Sequence, residues 1–291
     1  MKYYLLLCAL VCLNALWGQS FQYPVPPDSI LGRQERIDYM LSNFWDDKTI
    51  GDTALFKSPS LLMDYLYLLG QSGESASMRY TKSFISKACK KDSFDQILFW
   101  LDNILYDSSS PHYNESLYTK LLNVVMQCDV DTVMKLLPAQ RLEMMSKNQI
   151  GSMANNFTFV DKTGIYRELY DIDASLLLIV FNNPDCSICH HTEEYIAGNK
   201  EFLSMIDKGK LTVLAITPDA EYDDWLNHKY PDNWMTGFDK NHEIYDKRLY
   251  DIQYLPSLYL LDKNKRVLLK EANFSRLINY FARDSYNIKQ K

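Results

Sequence analysis

The chain reads as an all-α half followed by an α/β half built on a mixed sheet. Three observations predict this division. Apolar residues recur at helical spacing from residue 29 to residue 147, and after Gly151 the period falls to two or becomes continuous. The second half then runs strand, helix, strand, an order that closes only as a right-handed crossover on a parallel pair.

In the first half, Ile30, Ile37, Met40, Leu41, Phe44 and Trp45 lie on one face of a helix over 29–45, with Asp28 as its expected N-cap. Ser58-Pro59 supplies a cap and a first-turn proline for a helix over 61–69, and Gly70 is expected to end it in the left-handed region. Further helices are expected at 74–90, 93–106, 114–127 and 131–147, the last bent at Pro138. The polar breaks between them are short, so neighbouring helices should run antiparallel in a bundle. The aromatic residues between Tyr39 and Trp100 fall at core-like spacings, and Cys89 and Cys128 stand in two different helices, where a structural disulfide and two buried thiols are both open readings.

In the second half, 157–160 and 165–169 flank Asp161-Lys162-Thr163-Gly164 and read as a hairpin. Leu176 to Phe181 is an unbroken apolar run, the composition of a strand buried on both faces. One helix over 187–206 leads to a second buried strand over 211–216. A helix near 220–228, a loop holding Trp234 and Phe238, a short helix near 243–248, strands at 257–261 and 266–270, and a last helix over 273–285 complete the pattern. His112, His228 and His242 fall in polar loops or at helix ends, where solvated surface roles are expected.

Lys2 followed by the apolar run Tyr3–Leu13, with Gly18 and Ser20 as small residues, predicts a signal peptide over 1–20. The domains expected are therefore 1–20, a helical domain over 21–150 and a self-sufficient α/β domain over 151–291. That apolar run is shorter than the about 20 apolar residues of a spanning helix, so no transmembrane segment is expected in the mature chain. Lipid attachment at Cys12 is the rival reading, disfavoured by bulky Val11. A net charge of -6 leaves no basic footprint for nucleic acid. Of six cysteines, Cys8 and Cys12 leave with the leader, and only Cys186 and Cys189 remain close in sequence.

That pair follows the first buried strand and begins the next helix. The free amides and dipole of a helix N-terminus favour an anion, so Cys186 is the expected nucleophile, and Cys189, one turn later on the same face, can resolve a mixed disulfide. Zinc would need two further ligands, while His190 and His191 crowd the same turn, so no metal is expected. Cys186 to His190 also spells the Cys-x-x-Cys-His pattern of c-type haem. The buried strand before it and Leu255-Pro256 after it have no part in a small helical cytochrome.

These residues carry a family resemblance. Asn156-Phe157-Thr158-Phe159 with Asp161 and Gly164, the dithiol after the first buried strand, and Tyr254-Leu255-Pro256-Ser257 before Leu258–Asp262 resemble a thioredoxin-fold domain of the TlpA/ResA-like envelope group. The first half is similar to a helical domain of unknown function that precedes such domains in some Gram-negative bacteria, through Arg36–Tyr39, Phe44–Asp46, Leu105–Asp107, Ser110-Pro111 and Asn114-Glu115. The resemblance implies that Pro256 is cis, faces the dithiol and shapes a substrate groove with Leu255. Two departures touch the mechanism: Val180 stands where many thioredoxins have a buried acid, and Thr192 where ResA-like proteins have Glu. The proton acceptor for Cys189 is thereby left open: Glu193, one turn beyond it, is within reach, while an exposed helix-face Glu is the reading its position favours. Asp185 replaces the common Trp before the nucleophile, Ser187 and Ile188 add no positive charge, and only a protonated His190 opposes it, which leans the pair toward reduction.

The expected activity is that of a periplasmic thiol-disulfide oxidoreductase with no cofactor beyond its Cys186-Cys189 disulfide. Its partners would be protein disulfides or thiols and a membrane or periplasmic redox partner, not nucleic acid. The alternative from another class is a scaffolding protein whose helical half binds a partner while the thioredoxin fold is redox-silent.

Overall fold

The computed structural model describes residues 21–288, so the expected signal peptide lies outside the described residues. Contacts divide the chain into two compact units, one of residues 1–103 and 116–135, the other of 104–115 and 136–291. This differs from the boundary expected at 150. Two stretches from the first half of the sequence pack with the α/β unit, for reasons visible in its polar core below.

The first unit is built from α1 (Arg33–Phe44), α2 (Asp47–Ile50), α3 (Ser60–Gln71), α4 (Glu74–Ala88), most of α5 (Phe94–Leu105) and α6 (Glu115–Val125). Its core is aromatic: Trp45 packs against Phe44, Phe56, Tyr65 and Phe84 at centroid distances of 4.9, 5.6, 5.5 and 5.5 Å. Helix α1 starts five residues inside the expected cap, with Gly32 and not Asp28 at its N-cap and no side-chain bond there. Helix α3 runs through Gly70 and ends at Gln71, because the Ser72 N–H reaches the Leu69 carbonyl and closes the last turn without a left-handed residue. Cys89 and Cys128 are free thiols. Burial and the neighbouring Cys89 thiol push Cys128 up to about 12.

The second unit holds a seven-stranded sheet in the order β2-β1-β5-β4-β3-β6-β7. Its strands are β1 (Thr158–Val160), β2 (Tyr166–Glu168), β3 (Leu176–Phe181), β4 (Thr212–Thr217), β5 (Met235–Phe238), β6 (Ser257–Asp262) and β7 (Val267–Ala272). Helix α7 (Thr132–Ser146) belongs mainly to this unit and runs through Pro138; α8 (Ser187–Gly198) and α9 (Lys200–Asp207) follow β3, and α10 (Tyr222–Asn227), α11 (Glu243–Asp246) and α12 (Phe274–Ile288) complete it. β3 pairs in parallel with β4 and antiparallel with β6. The period of two sends Leu177, Ile179 and Phe181 into one core with Leu214, Ile216, Tyr259 and Leu261, and Leu178 and Val180 into another with Val213, Leu258 and Leu260. Both faces are therefore covered, as a continuous apolar strand requires.

The loop expected around Trp234 and Phe238 contains β5, which pairs in parallel with β4 and antiparallel with β1. Gly237 is its signature: a Cβ there would lie 2.2 Å from the Phe159 ring. The expected helix over 187–206 is two helices, α8 and α9, broken at Asn199. Among the described residues no helix is long and apolar enough to cross a membrane.

A polar cluster explains the unit's extent. The buried Lys270 ammonium donates to the carbonyls of Met145 and Lys147 at 3.3 and 3.2 Å and pairs with Glu115 and Glu271 at 3.2 Å each. Tyr106 bonds Asp251, and Arg141 bonds Gln253 and lies over the Tyr106 ring. A buried charge must be paired, so these partners from 104–115 and 136–147 fold with β7.

Candidate functional site

Strand β3 ends at Phe181, whose register partner on β6 is Ser257. That pairing brings the turn after β3 beside the residue preceding β6. The turn is held by its own backbone: the Asn183 side chain accepts from Asp185 N–H at 2.8 Å, and the Asn183 carbonyl accepts from Cys186 N–H at 3.0 Å. Cys186 is thereby placed at the N-cap of α8, where its Sγ accepts from the Cys189 N–H at 3.2 Å. The Leu255-Pro256 peptide is cis, and the Leu255 carbonyl lies 4.0 Å from Cys186 Sγ.

The two thiols differ in environment. Cys186 is half-buried and Cys189 is fully buried. Burial above all, then the Cys186 thiol and the charge of Glu193, push the Cys189 thiol well above its ordinary value. Asp185, Ser187 and Ile188 are exposed around Cys186, and Leu255 and Pro256 are half-buried.

Below the dithiol lies a polar network that the sequence reading missed. Glu193 is buried, which overturns the expected exposed helix-face position, and His228 is no solvated surface residue. The Asn182 Nδ2 donates to Glu193 Oε1 at 2.7 Å, and His228 Nε2 meets Glu193 Oε2 at 2.9 Å. Asn182 Oδ1 in turn accepts from Thr217 Oγ1 at 3.0 Å and the Tyr230 hydroxyl at 3.2 Å. Burial raises the Tyr230 hydroxyl to about 12, so it stays a donor. His190 Nε2 lies 2.6 Å from the Pro184 carbonyl, and its ring stacks on His228 at 5.1 Å and 19°. Val180 faces the core and Thr192 is buried without joining this network.

Asn182 and Thr217 did carry a signal, since each is the polar residue closing an apolar strand. His228 and Tyr230 carried none, because 35 residues separate His228 from Glu193. The arrangement offers an accessible sulfur at a helix start, a buried sulfur one turn on, and a carboxylate one further turn on, which is sufficient for thiol-disulfide exchange with proton transfer. Among the described residues no group of three or more His, Cys, Asp or Glu could hold a metal.

A family model described as a domain of unknown function, DUF5106, matches residues 10–148. The crystal structure of a thioredoxin-like protein from Bacteroides caccae is 32% identical, with 90% of this chain and 98% of that chain covered and a TM-score of 0.78. The C-terminal domain of an uncharacterized protein from Bacteroides fragilis is 39% identical over 46% of this chain and 98% of that one, with a TM-score of 0.45. A domain of a possible thiol-disulfide isomerase from Cytophaga hutchinsonii is 25% identical over 50% and 99%, with a TM-score of 0.39. No curated protein matches the chain.

Proposed function

The chain belongs to the thioredoxin-like family, and on that premise we propose that it is an exported thiol-disulfide oxidoreductase of the periplasm, with Cys186 as nucleophile and Cys189 as resolving thiol. The observation that carries the reading is the position of Cys186 Sγ, at a helix N-cap on the Cys189 N–H and 4.0 Å from the Leu255 carbonyl. An extended client segment lying along Leu255 would present its disulfide to that sulfur.

The Cys186 thiolate attacks one sulfur of a client disulfide and expels the other as a thiolate. Cys189 gives its proton to Glu193 and attacks Cys186 Sγ, which breaks the mixed disulfide and expels the second client thiolate. The client gains two electrons and the Cys186-Cys189 pair becomes a disulfide, which a dithiol partner in the periplasm or membrane must reduce. Exposed Asp185 beside Cys186, unopposed by Ser187 or Ile188, supports the reducing direction.

Insulin reduction with dithiothreitol as reductant tests this. Cys186→Ser is expected to abolish turnover, and Cys189→Ser to accumulate mixed disulfides visible on non-reducing gels. Equal trapping by both variants, or turnover in Cys186→Ser, would falsify the assignment.

A further inference from the structure

We propose that His228 is a positioning residue of this site, holding Glu193 together with Asn182 as the proton acceptor for Cys189. The inference rests on the oxidoreductase reading and deepens it by naming what keeps a base in a buried place.

Glu193 stands four residues after Cys189 on α8, so the two side chains share a face one turn apart, and both are buried. A carboxylate removed from water must find donors or take up a proton. Here each oxygen has one: Asn182 Nδ2 at 2.7 Å on Oε1 and His228 Nε2 at 2.9 Å on Oε2. The Asn182 amide is turned the right way because its oxygen is occupied by the hydroxyls of Thr217 and Tyr230. His228 is held as firmly. Its ring lies between the stacked His190 ring and the edge-on Tyr230 ring, whose centroids are 5.1 and 4.4 Å away. Lys162 Nζ donates to the His228 carbonyl at 2.6 Å, and the His228 N–H donates to the Asp224 carbonyl at 3.0 Å.

The groups facing the imidazole are thus Glu193 and His190 from α8 and Tyr230 from the loop after α10, with Lys162 from the β1–β2 turn on its backbone. Only Glu193 among them is an anion, and it faces Nε2. An Nε2–H on His228 is the tautomer that fits a carboxylate oxygen at 2.9 Å. When the Cys189 S–H bond breaks, its proton passes to Glu193 and its electron pair forms the new bond to Cys186. His228 makes no bond to a reacting sulfur and acts through Glu193.

The test uses the full reduced chain and an aromatic disulfide that releases a coloured thiolate. The first release reports attack by Cys186, and the second reports resolution by Cys189. In His228→Ala the second phase is expected to slow about tenfold near neutrality, because Glu193 loses the partner that orients it, while the first phase is unchanged. His228→Gln, which keeps an N–H donor, should restore most of the rate. A second-phase profile of His228→Ala superimposable on that of the native chain overturns the proposal. A native chain with no second phase at any pH overturns the oxidoreductase reading itself.

Discussion

Glu271 lies in the core of the α/β unit with Tyr259 and Tyr113 hydroxyls at 3.3 and 3.5 Å and the Lys270 ammonium at 3.2 Å. Its backbone is left-handed, φ 46°, at an irregular stretch of β7. Burial raises its carboxyl to about 7, and Lys270 offsets only part of that rise. A folded pKa above the unfolded one means that the native chain holds more protons between the two values. Stability is therefore full below the ordinary carboxyl range and falls as pH climbs toward 7, by about 3 kcal/mol in all. Glu271→Gln should remove this slope: urea denaturation at pH 5 and pH 8 is expected to show the variant gaining on the native protein at the higher pH, and parallel curves would refute it. The sequence around Lys270-Glu271 reads only as the tail of a strand. Its chemistry was hidden for the same reason as that of His228: the partners come from distant segments, and only folding brings them together. Cys186 and Cys189 could be read because three residues of helix suffice to set their relation.

At the scale of elements, spacing located β3, β4, β6 and nearly every helix, since each covers a core with a regular apolar stripe. The break between α8 and α9 escaped it. Asn199 adopts φ -76°, ψ 118°, and its side chain accepts from the N–H groups of Glu201 and Phe202 at 2.9 and 3.1 Å. The apolar period continues across it, so periodicity alone sees one helix, and the Gly198-Asn199 dipeptide was the overlooked signal. Asn199→Ala should cost about 1 kcal/mol in chemical denaturation through the lost cap, with turnover unchanged. A neutral result would mean that packing of Phe202, not the cap, redirects the chain. β5 was missed because four residues containing a glycine are poor strand material on their own. Phe159 fills the space that the absent Cβ leaves.

For the molecule as a whole, the polar cluster around Lys270 decides what can be cut. A fragment of residues 150–291 keeps every strand of the sheet but deprives Lys270 of Glu115 and of the Met145 and Lys147 carbonyls. Only Glu271 then remains beside it, and a buried ammonium stripped of most of its partners is costly, so this fragment is expected to melt well below one beginning at Ile104, which retains all of these partners. Equal melting temperatures by circular dichroism would show that the cluster is dispensable. The junction itself has a further effect. Gly151 N–H donates to the Val267 carbonyl at 2.7 Å, the Ser152 carbonyl accepts from Val267 N–H at 2.9 Å, and Met153 bridges Arg266, at the start of β7, the last strand of the sheet. An open strand of this kind is a template on which a second copy can add its own strand and begin a fibril. Here the start of that row of donors and acceptors, at Val267, is already taken by the chain's own backbone, so the segment joining the two halves of the sequence leaves a second copy a shorter edge on which to add.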